Sequence, residues 1–304
     1  MRSWLVIPAL GAVCAGAGAG LAAVAGVNPV SVPVVIAGCG AAGAAMAACV
    51  RALAGDSPAS LVGAVLAPLL FVATVFQMGV GVENARALIA VAALAWTVVE
   101  LARPSTSPLV ALLPATVAAV MDPSFVALVP LAGARLMTAP WERPRWAVAV
   151  PIAGGLMVLV AIVSGLAAHG RFAALGSEWF GARRAGVSPI DWLAMLVAAV
   201  GPFTAVAAVA GGSSVAKPRH AELSIAISLA AAVLVGLRSG SVTVPVVGLV
   251  ALLAGFAVGR LAGLIRLASG QAIAGTAVAA LVLTVPAWSA IEHPAVARTS
   301  QASR

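Results

Sequence analysis

Apolar residues run along the chain in long stretches separated by short polar breaks. A helix needs about 20 consecutive apolar residues to cross a hydrocarbon core of about 30 Å, because a backbone polar group left unpaired in lipid costs several kcal/mol. Stretches of about this length fall at residues 4–26, 30–50, 60–80, 85–102, 146–168, 192–210, 221–237, 242–264 and 272–290. A closed β-barrel would read instead as short alternating segments. The pattern therefore predicts an all-α, polytopic membrane helix bundle of about ten transmembrane helices. It forms a single transmembrane domain over 1–304, with a polar loop at 169–191 and a polar tail at 291–304.

The remaining apolar segment, Leu109 to Ala134, is split by Met121-Asp122-Pro123. Each half has about 12 residues, or about 18 Å of helix, which is too short to cross alone. The halves make either one broken crossing or a re-entrant hairpin, and the choice decides whether the termini share a side. With the N-terminus cytoplasmic, a hairpin puts 10 of the 17 basic residues inside and a single crossing puts 9 inside, so the positive-inside rule leaves both readings open.

Composition agrees with the pattern: 62% of residues are hydrophobic and 9% charged, which excludes a water-soluble globule. The formal charge of +8 is dispersed, with no basic stripe interleaved with aromatics, so nucleic acid is not an expected partner. The bilayer is, with a homo-oligomer or other membrane subunits as further alternatives. Lys217 is the lone lysine, and the weight of Ala, Gly, Val and Arg suggests a GC-rich coding sequence and a bacterial inner membrane. Arg2 and the small residues Ala15 to Gly20 imitate a secretory signal, but the length of the first stretch predicts a retained helix. Trp4, Trp146, Trp192 and Trp288 fall near span ends, as an aromatic belt requires, and Trp96 is the interior exception. Cys14, Cys39 and Cys49 lie in apolar stretches and are expected to be small reduced core residues.

Two faint repeats compete. Val30 to Val35 with Val50 to Gly55 resembles Val242 to Val247 with Val258 to Gly263. Trp4 to Pro8 with Gly20 to Ala23 resembles Trp146 to Pro151 with Gly165 to Ala168, which would divide the chain into halves 1–140 and 141–304 on the inverted-repeat plan of many secondary transporters. The span count and length look like the size class of the drug/metabolite transporter superfamily. Neither half ends in that family's glutamate-proline signature, so the likeness stops at length and count.

An ionisable residue inside a span is a functional candidate by default. Asp122 with Pro123 is the first, as a carboxylate at a mid-depth helix break; the bland alternative is the wet tip of a hairpin. Glu100 and Arg103 share a helical face near a span end and read as a snorkelling interfacial pair, with a gate as the alternative. In the polar loop, Glu178, Trp179, Arg183, Arg184 and Asp191 are the residue types that would hold an anionic lipid-linked substrate, against a reading in which the loop rests on headgroups. Gly255, Gly259 and Gly263, and Gly16 with Gly20, have the four-residue spacing that lets helices pack closely.

Metal, nucleophile-elbow, P-loop and Cys-x-x-Cys motifs are missing, and no cofactor is implied. The expectation is a permease-like protein that binds or transports a small solute, leaning away from an enzyme. A membrane enzyme of envelope lipid or glycan assembly and a non-catalytic membrane subunit are the alternatives.

Overall fold

The computed structural model describes residues 6–24, 32–55, 57–78, 82–102, 108–125, 128–129, 131–133, 188–213, 220–265 and 267–292. Among them every regular element is helical: α1 (Val6–Val24), α2 (Val32–Ala54), α3 (Pro58–Met78), α4 (Val82–Ala102), α5 (Pro108–Met121), a 3-10 turn (Pro123–Phe125), α6 (Pro189–Val200), α7 (Pro202–Ser213), α8 (His220–Ser239), α9 (Val244–Ala262) and α10 (Ala268–Glu292). The span expected at 146–168 and most of the polar loop lie outside the described residues.

Proline sets many of the starts. Pro33, Pro58, Pro108, Pro189, Pro202 and Pro245 each stand in the first turn of a helix, where a missing N–H leaves no intrahelical bond unmade. At the head of α3, Ser57 and Ser60 close a reciprocal cap: the Ser60 N–H donates to Ser57 Oγ at 3.0 Å and the Ser57 N–H donates to Ser60 Oγ at 3.1 Å.

Helix α9 is the centre of the bundle. It packs against α3 and α7 most extensively, and also against α2, α4, α8 and α10, while α1 lies on α2 and α5 lies on α4. In its most apolar window 89% of residues are buried, against 67% in α3 and 56% in α2. These three helices are long and apolar enough to cross a membrane, or four if α6 and α7 count as one bent span, which fits a membrane location. Shorter apolar stretches lie at Ile7–Gly20, Val110–Met121, Leu223–Ser239 and Ala268–Leu283.

Small residues bring the backbones together at two seams. On the α3–α9 seam, a Cβ on Gly255 would stand 2.6 Å from Gly63 O and 2.7 Å from Ala67 Cβ, and one on Gly259 would stand 3.2 Å from Ser60 Cα. On the α1–α2 seam the fit is reciprocal: Cys14 fills the notch at Gly43 and Cys39 fills the notch at Gly18. All three cysteines are free and buried, as the apolar stretches around them predict.

Three expectations need correction. Among the described residues nothing lies within 4 Å of a Cβ built on Gly16 or Gly20, so the α1–α2 seam does not use them; it uses Gly11 and Gly18, because α1 turns that face toward α2. Gly263 meets only its own helix backbone, and its N–H ends α9 by donating to Gly259 O. The stretch 192–210 is not one helix. It breaks into α6 and α7, which meet at 106°. Pro202 has no N–H to continue the ladder, and Gly201 adopts φ 85°, a conformation glycine alone takes readily.

Candidate functional site

Buried polar side chains occur on α3, α7 and α8 as well, but the α4–α5 hairpin carries the one buried acid among the described residues, Glu100. Helix α4 packs on α2, α5, α8 and α9, so a side chain near its end can be surrounded by protein on several sides. Glu100, in its last turn, is 4% exposed. This corrects the snorkelling expectation: the carboxylate stands inside the bundle and not at an open surface. Arg103 lies outside the described residues.

One turn before Glu100, on the same face, Thr97 is fully buried and its hydroxyl donates to Ala93 O at 2.8 Å. On α5, Thr116 is buried and donates to Leu112 O at 2.8 Å. These bonds stay within each helix, and each hydroxyl oxygen keeps lone pairs that accept from a further donor.

Helix α5 ends at the predicted break. The Asp122 N–H still donates to Ala118 O at 2.9 Å, but Pro123 has no N–H to offer Ala119 O, and the chain turns into the 3-10 segment. Asp122 caps that segment from side chain and backbone: Oδ1 takes the Ser124 N–H at 2.9 Å and its carbonyl takes the Phe125 N–H at 3.1 Å. The carboxylate is half-buried, whereas Ser124 and Phe125 are buried where the turn packs on α5 and α8. Helix α8 presents two further buried hydroxyls, Ser224 and Ser228; Ser224 donates to Ala221 O at 2.6 Å, and Ser228 Oγ has no hydrogen-bond partner among the described residues.

Glu100 and Asp122 thus mark opposite ends of the hairpin. Helix α5 between them runs about 21 Å at 1.5 Å per residue. Sequence reasoning ranked Asp122 first because it interrupts a helix; the deeper enclosure of Glu100 comes with the packing of α4 inside the bundle and has no local signal.

Of the loop candidates, Asp191 is described and has a structural task. Its N–H donates to Ser188 Oγ at 3.1 Å and its Oδ2 accepts from the same hydroxyl at 2.7 Å, capping α6 on an exposed surface. Glu178, Trp179, Arg183 and Arg184 lie outside the described residues. No protein-family model, curated protein or solved structure matches the chain.

Proposed function

We propose that the chain is a multi-pass protein of a bacterial inner membrane that binds or moves a small solute along the α4–α5 hairpin. The burial of Glu100 carries this reading. A charged group held in an apolar bundle costs at least a few kcal/mol, so such a residue marks a pathway or a binding point by default. Asp122 supplies a second polar point at a helix break, where Pro123 has no N–H to give Ala119 O. The hydroxyls of Thr97 and Thr116 are further polar steps on the two helices.

Gly255 and Gly259 close against α3 of the same chain, so the competing reading, a non-catalytic subunit, draws no support from them. The test is aqueous reach into the hairpin. Thr97→Cys and Thr116→Cys, in native vesicles, are expected to react with a small water-soluble methanethiosulfonate, while Leu94→Cys and Ala115→Cys on the same helices stay unreacted. If all four positions are inert, no solute path follows the hairpin and the reading is wrong.

A further inference from the structure

Helix α6 is held across the end of the bundle. Trp192 Nε1 donates to Ser241 O at 3.0 Å, in the turn that joins α8 to α9, and the indole lies on the Gly236 notch of α8. At Gly201 the chain turns through 106°. Helix α7 then runs beside α9, where Gly211 meets Leu253 O. So α7 follows a helix long enough to cross the bilayer, and α6 lies transverse to it at the level of that helix's first residues. With 12 residues, α6 is about 18 Å long and crosses nothing by itself.

Its outer surface is apolar. Ile190 is 79% and Leu193 54% exposed, and Ala194, Met195 and Ala198 are exposed beside them. The apolar surface continues around the bend onto exposed Phe203, Val206 and Val209 of α7. Polar groups gather at the other end, where Ser188 and Asp191 cap the helix in the open. The Trp192 ring, apolar in body with its N–H satisfied at the end of the bundle, suits the interfacial level.

We propose that α6 lies in the plane of the membrane surface, its exposed Ile190, Leu193 and Ala194 seated at the boundary of headgroups and acyl chains, with the lipid bilayer as the partner that covers this face. The inference rests on the membrane reading of α9 given above. Depth along an in-plane helix varies only with the face a position lies on and does not drift from end to end, whereas a crossing helix deepens by about 1.5 Å per residue.

The experiment uses the full chain in vesicles of phosphatidylcholine and phosphatidylglycerol. A nitroxide is placed singly at Ile190→Cys, Leu193→Cys, Ala194→Cys and Ala198→Cys on α6, and at Phe203→Cys, Val206→Cys and Val209→Cys on α7. The unsubstituted chain, whose cysteines are buried, serves as the labelling blank. Depth is read from the ratio of oxygen to nickel-chelate accessibility. The α6 labels should all stay shallow with no drift from 190 to 198, while the α7 labels deepen in order. A steady deepening from 190 to 198, or α6 labels wholly in water, overturns the proposal with the membrane reading intact. If the α7 labels show no gradient, the membrane reading fails as well.

Discussion

Gly255→Leu is expected to leave no monodisperse folded chain after extraction into mild detergent. On the α3–α9 seam Gly255 faces Gly63 and Ala67, and a Cβ at 255 already stands 2.6 Å from a backbone oxygen and 2.7 Å from Ala67 Cβ. Backbone cannot rotate out of the way as a side-chain tip can, so the helices must separate. Helix α9 packs on seven described helices, and a shift on one side is felt by all of them. Overpacking a core costs about 1–3 kcal/mol where side chains can adjust; displacing two backbones costs more, against a net stability of about 5–15 kcal/mol for a domain. The control is Gly16→Leu, where nothing lies within 4 Å of the new Cβ; its expected effect is within about 0.5 kcal/mol. Size-exclusion elution and thermal unfolding compare the two. Equal behaviour of the variants would contradict the seam.

Trp192→Ala should be the second most damaging change, at about 3–5 kcal/mol. Trp192 is 3% exposed, its ring fills the notch that Gly236 leaves, and its N–H satisfies Ser241 O. Removing it opens a cavity under α6 and orphans an acceptor in the α8–α9 turn. Trp192→Phe keeps most of the packing and loses only the hydrogen bond, so it should cost about 1 kcal/mol plus a small cavity. Thermal unfolding of the two variants separates packing from hydrogen bonding. If alanine and phenylalanine cost the same, the ring does not hold α6 in place.

Much of this fold is legible in the sequence, because length and apolarity alone bound a helix in lipid. The stretches 30–50, 60–80 and 242–264 become α2, α3 and α9 with ends displaced by a few residues, and a proline in the first turn of each explains the displacement. The break at Asp122-Pro123 is legible for the same reason. The break at Gly201-Pro202 carries the same kind of signal, yet it sits inside an unbroken apolar run that reads as one helix.

What the pattern does not carry is helix rotation. Gly16, Gly18 and Gly20 are equivalent in sequence, and only the phase of α1 against α2 selects Gly18. Glu100 is a parallel case. A carboxylate near a helix end reads as interfacial, and its enclosure is decided by elements distant in sequence. Asp191 shows the converse: a charge chosen for chemistry turns out to be a helix cap that a serine three residues earlier already announces.

The central claim, a polar path that reaches the broken end of α5, turns on the surroundings of Asp122. Asp122→Cys in vesicles of known orientation is treated with a small membrane-impermeant thiol reagent, added first from one side and then from the other. A path along the hairpin predicts slow labelling from both sides, with Ser124→Cys, two residues on and buried in the same turn, unreactive from either. Fast and complete labelling from one side alone would make Asp122 the tip of a surface hairpin, and the account of the hairpin as a solute path would be wrong.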